Sequence, residues 1–122
     1  GGDATTHTQS QIRRPGFSAF GQTQWRLTDQ ASFVEHMSTI AGGTEVLVAM
    51  SNIAADQRYG LGTIPGAVFK GGWGPEPENG YVVRQFGLMP GPKPYGIAVM
   101  VVADDYQSGQ DALNLAAKYL QA

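Results

Sequence analysis

Two blocks of turn chemistry constrain this chain most. Gly74-Pro75-Glu76-Pro77-Glu78-Asn79-Gly80 and Met89-Pro90-Gly91-Pro92-Lys93-Pro94 are dense in the residues that reverse a backbone, because proline fixes φ and glycine frees it. They divide the stretch from 64 to 103 into three runs rich in β-branched and aromatic residues. The first begins at Ile64-Pro65-Gly66 and passes through Ala67-Val68-Phe69 to Lys70. The second is Tyr81 to Leu88, the third Tyr95 to Ala103. Two consecutive reversals between such runs predict two hairpins, an antiparallel meander. Ile97 to Val102 is almost unbroken in apolar character, the pattern of a strand covered on both faces.

Helices flank the meander. Thr28 has N-cap chemistry and Asp29 lies in the first turn; Ala31, Phe33, Val34, Met37 and Ile40-Ala41 then recur every three or four residues until Gly42-Gly43. Thr44 opens a shorter helix with Val46, Leu47, Met50 and Ile53 on its apolar side. Ser108 or Asp111 starts a last helix, whose Ala112, Leu113, Leu115, Ala116, Tyr119 and Leu120 form a stripe that should lie across the sheet. Asp56-Gln57-Arg58-Tyr59-Gly60-Leu61-Gly62 reads as a packed connection in preference to a binding loop. Residues 1–27 hold no steady period, and Phe17, Phe20 and Trp25 would pin them by burial. The expected organisation is thus α+β: an irregular segment over 1–27, then helices, a sheet of at least three strands and a C-terminal helix over 28–122. No internal repeat is visible.

Composition narrows the function. With 122 residues the chain suits one domain, and 42% hydrophobic with 15% charged residues describes a globular one. A net charge of −2 leaves no electrostatic footprint for nucleic acid. Cysteine is absent, which excludes disulfides and thiolate metal sites, and His7 and His36 are too few and too isolated for a metal centre. No cofactor and no metal is expected. No apolar run approaches the ~20 residues that span a bilayer, and the opening residues lack the pattern of a secretory leader.

The chemistry concentrates at Lys70, one of three lysines, which is followed by Gly71-Gly72-Trp73-Gly74. The two glycines leave the strand bare, so a ligand or another strand can approach its backbone closely. One reading is an ordinary hairpin whose lysine snorkels to water, which the local residues by themselves favour. The other is a cation beside an open strand edge, suited to gripping a carboxylate while backbone groups hold a neighbouring carbonyl. A search for a nucleophile finds none in place: the residues three after the serines are Arg13, Gly21, Glu35, Ala41, Ala54 and Asp111. There is thus no Ser-x-x-Lys, no Ser-x-Asn and no Gly-x-Ser-x-Gly elbow. Glycine spacings for phosphate binding are also missing. Glu76 and Glu78 sit in a proline turn, where solvated carboxylates are expected.

Taken jointly and in order, several segments resemble the C-terminal portion of the actinobacterial serine β-lactamase and penicillin-binding-protein-like (DD-peptidase) family. They are Phe20-Gly21-Gln22-Thr23-Gln24-Trp25-Arg26-Leu27-Thr28-Asp29-Gln30, Asp56 to Gly62, Phe69-Lys70-Gly71-Gly72-Trp73-Gly74-Pro75 and Val82-Val83-Arg84-Gln85-Phe86-Gly87. The resemblance implies a sheet covered by helices and meeting a helical region at a groove. It implies that Lys70 binds a substrate carboxylate, that Gly72 keeps the edge open, and that the backbone of Trp73 supplies an oxyanion-hole donor. The substrate-binding set is then Lys70, Gly71, Gly72 and Trp73, with no catalytic nucleophile in this chain.

Two departures accompany the likeness. Gly71 stands where the Lys-Thr/Ser-Gly box carries a hydroxyl, and no glutamate precedes Glu35, so a water-activating glutamate is not evident. The expectation is the C-terminal half of a hydrolase of β-lactams or peptidoglycan-type peptides, extracytoplasmic by resemblance and inactive without a serine-bearing N-terminal half. A non-catalytic binding module is the alternative. The expected partners are that N-terminal half or a second copy of the chain, paired through the strand at 95 to 103, together with a small-molecule or peptide substrate.

Overall fold

The structure, a computed structural model, describes residues 23–121 together with 10–11 and 15–16. Phe17, Phe20 and most of the irregular opening lie outside the described residues. Three strands, β1 (Val68–Pro75), β2 (Tyr81–Met89) and β3 (Tyr95–Ala103), form one antiparallel sheet in the order β1-β2-β3. The expected α+β meander is therefore present. The first turn closes with Glu76 N–H donating to the Gly80 carbonyl at 3.0 Å, and Gly80 has φ +97°, a conformation open to glycine at little cost. This fixes the register at Pro75 opposite Tyr81, and the ladder then sets Gly72 opposite Arg84 and Lys70 opposite Phe86.

Helix α1 (Leu27–Glu35) lies against one face and α3 (Tyr106–Leu120) against the other, with α2 (Gly43–Met50) beside β1. On the α1 face, Val34, Met37 and Met50 pack with Phe33, Leu47, Val68, Phe86 and Leu88. On the α3 face, Tyr59, Val83 and Leu113 form one cluster and Leu61, Phe69 and Met89 a second. Both helices approach the sheet over a glycine. A Cβ on Gly96 would collide with the Ala31 carbonyl of α1, and one on Gly109 with Val83 of β2. The near absence of a side chain there lets backbone and sheet meet directly.

Helix boundaries shift where local chemistry outweighs the pattern. Helix α1 begins one residue before Thr28, with Arg26 at the N-cap, and ends at Glu35; a 3₁₀ turn, Met37–Thr39, follows. Gly42, in the left-handed region at φ +79°, caps α2 in place of Thr44. The last helix starts earlier than Ser108, because the Asp105 carboxylate accepts the Ser108 N–H at 2.7 Å and so caps it.

A larger difference concerns β3. Ile97, Val99 and Val101 pack on the α3 side. Met100 and Val102, on the opposite face, are 48% and 53% exposed. The expected cover on both faces thus stops short of the sheet end that holds Val82, Met100 and Val102.

One buried amide ties the layers together. Gln85, 1% exposed at the middle of β2, donates through Nε2 to the Tyr59 carbonyl at 2.9 Å and accepts the Leu61 N–H on Oε1 at 2.8 Å. Gly60 between them donates to Asn114 Oδ1 of α3 at 2.6 Å. The 56–62 segment is accordingly the packed connection its sequence indicates. In Gln85→Leu the Tyr59 carbonyl keeps the Gly62 N–H at 2.9 Å, whereas the buried Leu61 N–H loses its acceptor, at a cost of about 1–3 kcal/mol. A loss of about 1–3 kcal/mol in urea unfolding is therefore expected, and a loss below about 0.5 kcal/mol would contradict this role for the amide. Gly96→Val should cost ~1–3 kcal/mol by overpacking α1 against β3, read in the same assay.

Candidate carboxylate-binding site at the β1 edge

The β1 strand borders the sheet, with β2 as its neighbour on one side. At this border an open cavity of about 200 Å³ is lined by Thr23, Trp25, Gln30, Lys70, Gly71, Gly72, Arg84, Gln85 and Phe86. Three of the four residues singled out from sequence, Lys70, Gly71 and Gly72, thus come together in one concavity. Trp73 does not line it. Its ring leaves toward the α3 face and packs 5.0 Å from Tyr106 at the start of that helix.

The cavity wall is built from the segment leading into α1. Gln30, buried on α1, donates from Nε2 to the Trp25 carbonyl at 2.8 Å, which ties the residues before the helix to its first turn. Trp25 then meets Phe33 edge-on at 5.3 Å and Phe86 of β2 at 6.1 Å, so the wall is anchored to the central strand by aromatic contacts. Among the described residues the buried Trp25 Nε1 has no hydrogen-bond partner.

The floor is cationic. Arg84 stands opposite Gly72 on the neighbouring strand, and a Cβ on Gly72 would lie 3.8 Å from the Arg84 Cγ and Nε. The missing side chain at 72 is therefore space along which the arginine runs. Lys70 projects from the same face of β1 one step along, and among the described residues no acidic side chain lines the cavity. Among the described residues neither cation forms a salt bridge with a carboxylate. Two cations sharing a concavity without a counter-charge favour an anion, and the bidentate geometry of arginine suits a carboxylate.

The Lys70 ammonium donates to the Gly71 carbonyl at 2.8 Å. A side chain that wraps the sheet border reaches that oxygen on the free side of β1. In an antiparallel ladder the N–H and C=O of one residue point the same way, and residues two apart share that direction. The polar groups of Trp73 therefore also face the free edge, the location a backbone donor to a ligand needs.

Beneath this edge lies a cluster of tyrosines. Tyr59 is buried, its hydroxyl accepting from that of Tyr106 at 3.4 Å, with the two rings edge-on at 5.8 Å. Burial, and next the Tyr106 hydroxyl, push the Tyr59 phenol well above the ordinary tyrosine range. It stays neutral at any physiological pH and serves packing. A Cβ on Gly71 would stand 3.2 Å from this hydroxyl, so Ser or Thr at 71 would crowd it.

Trp25, Gln30, Arg84 and Phe86 were not singled out by sequence reasoning as site residues. Arg84 was within reach, since counting back from the Pro75–Tyr81 closure sets it opposite Gly72. The Trp25 wall had no such signal. Among the described residues no group of three acidic or histidine side chains gathers for a metal ion, and no helix is long and apolar enough to cross a membrane. Comparison of the chain with protein-family models, with curated proteins and with solved structures gives no match.

The raised Tyr59 phenol has a definite consequence for stability. Its folded pKa lies above the unfolded value of ~10, so its contribution is complete below pH ~10 and is lost as pH rises further, where the unfolded chain ionises first. The stability difference between the native protein and Tyr59→Phe should therefore shrink, or change sign, between pH 9 and pH 11 in urea titrations. A difference constant across that interval would show that the hydroxyl is not held neutral by its surroundings.

Proposed function

We propose that this chain carries the carboxylate-binding edge of a β-lactamase/DD-peptidase-like serine hydrolase acting on β-lactams or peptidoglycan-type peptides. The supporting observation is the pairing of Lys70 and Arg84 in one open cavity beside the bare Gly71-Gly72 edge, with no acid in its lining. A ligand carboxylate placed there meets two donors of positive charge, while its adjacent peptide-like backbone runs along β1 as an added strand. The N–H of Trp73 on the free edge is the oxyanion-hole donor in this reading. The reaction itself requires a nucleophile from a serine-bearing half, because no serine here has a lysine base three residues on. Such a half, extracytoplasmic together with this chain, is the proposed partner; self-association through β3 is the alternative the exposed Met100 and Val102 allow.

A non-catalytic binding module built on the same sheet is the second reading, favoured by the absence of any Ser-x-x-Lys in the chain. In both readings this chain alone forms no acyl-enzyme. Incubation with a β-lactam followed by intact-mass measurement should show unmodified protein, and a stoichiometric serine adduct would overturn the proposal. The readings separate when the serine-bearing half is added: acylation then is expected for the hydrolase. Lys70→Ala should abolish ligand binding in the reassembled protein and change stability by less than ~0.5 kcal/mol, since the side chain is exposed. Unchanged binding would return Lys70 to the role of a snorkelling surface lysine.

A further inference from the structure

Lys70 occupies an unusual place for a surface lysine. It faces the α1 side of the sheet, opposite Phe86, whereas Trp73 faces the α3 side, opposite Val83. Yet the Lys70 Nζ lies 5.9 Å from the centre of the Trp73 ring, within the ~6 Å over which an ammonium is attracted by an aromatic face. The lysine therefore turns around the border of β1, and it does so across Gly71, which has no side chain to obstruct it. The indole leans back over the same residue, its Cζ3 standing 3.8 Å from where a Gly71 Cβ would be.

Behind the indole, Tyr106 packs at 5.0 Å and itself meets Tyr81 at 6.0 Å and Tyr59 at 5.8 Å. The ring over which the ammonium sits is thus backed by half-buried tyrosines that pack on the buried Tyr59, while Trp73 itself is 38% exposed.

We propose that Trp73 is the positioning residue of this cavity, its indole holding the Lys70 ammonium at the rim beside the Gly71 carbonyl. A free lysine samples many rotamers, and fixing one of them before a ligand arrives removes that ordering cost from binding. The ammonium donates to the Gly71 oxygen in a solvent-exposed bond, which an incoming carboxylate would replace. The Trp73 ring acts through Lys70, and the ligand meets the lysine, Arg84 and the strand backbone. The inference deepens the reading of Lys70 as an anion anchor and depends on that reading for the ligand alone.

The three lysines make the test tractable, since Lys70 has only Lys93 and Lys118 to be distinguished from. In carbon–proton spectra of the whole chain, the Lys70 ε-methylene should be shifted upfield of the other two by the Trp73 ring current. Trp73→Leu should remove the shift, and Trp73→Phe, which keeps a ring, should retain part of it; the amide spectrum verifies the fold of each. A Lys70 signal that coincides with the other lysines, or a shift that survives Trp73→Leu, would overturn the proposal. Titration with benzylpenicillin, whose nucleus carries one carboxylate, reads the ligand side. Its affinity should fall about two- to fivefold in Trp73→Leu, equivalent to the ~0.5–1 kcal/mol of an exposed cation–π contact, and less in Trp73→Phe. If the ring-current shift behaves as expected and benzylpenicillin moves no resonance, the positioning stands and the carboxylate reading fails. If benzylpenicillin binds equally well to all three proteins, Trp73 is not the positioning residue.

Discussion

The amide of Gln85 is the interaction on which the rest of this small structure depends. A side-chain amide can replace a stretch of ladder, because it offers one donor and one acceptor in fixed relation. Here both are used on one segment, the carbonyl of Tyr59 and the N–H of Leu61. The cost of burying so polar a group is offset only when both ends are satisfied. Meeting that condition fixes where the 59–61 segment crosses the sheet. Asn114 then takes the intervening Gly60 N–H, so the same segment positions α3. Two side-chain amides in effect join a sheet, a connection and a helix that share no strand pairing.

The consequences reach the strand edge. Tyr59, held by its backbone, brings its ring beneath Gly71 and its hydroxyl against Tyr106. Tyr106 in turn supports Trp73, and Trp73 faces the Lys70 ammonium. Burial at the sheet centre is thereby communicated to a charged group at its border through packed rings, without any long-range ion pair. On the opposite face Gln30 performs a comparable task on a smaller scale. It holds the Trp25 backbone beside α1, where the indole meets Phe33 and Phe86 as the wall of the cavity. The proposed anion recognition rests on this surface, aromatic on one side, bare backbone on another and cationic at its floor. Among the described residues no acid lines it, so the two cations meet no carboxylate there.

The sheet also shows where covering elements end. Alternation along β2 is nearly strict, with Val83, Gln85, Gly87 and Met89 buried, because α3 and the 59–61 segment lie over that face. The other face is covered by α1 around Phe86 and is open at Met100 and Val102. An apolar sheet surface exposed beside a free edge is a place where further protein can be added. It is this feature, and not any motif, that makes association with a second chain or a serine-bearing half structurally reasonable.

Much of this was legible in the residues. Proline and glycine at 74–80 and 89–94 determine the two reversals, and β-branched runs between them determine the strands, because these effects are local and act over a few residues. The third strand was delimited to the residue, from Tyr95 to Ala103. That Lys70 precedes two residues without side chains is likewise a local fact; that the three line one cavity is a tertiary one. Tertiary structure alone decided the rest. Nothing local announces that Gln85 will turn inward to bind residues about 25 positions away, because a buried glutamine is chosen by the partners that the fold brings to it. The same holds for Trp25, which becomes a cavity wall only when α1 is seated over Gly96, and for the exposed ends of Met100 and Val102, whose apolar run resembles a core strand. Hydrophobic sequence states what can be buried; the length and placement of the covering helix state what is.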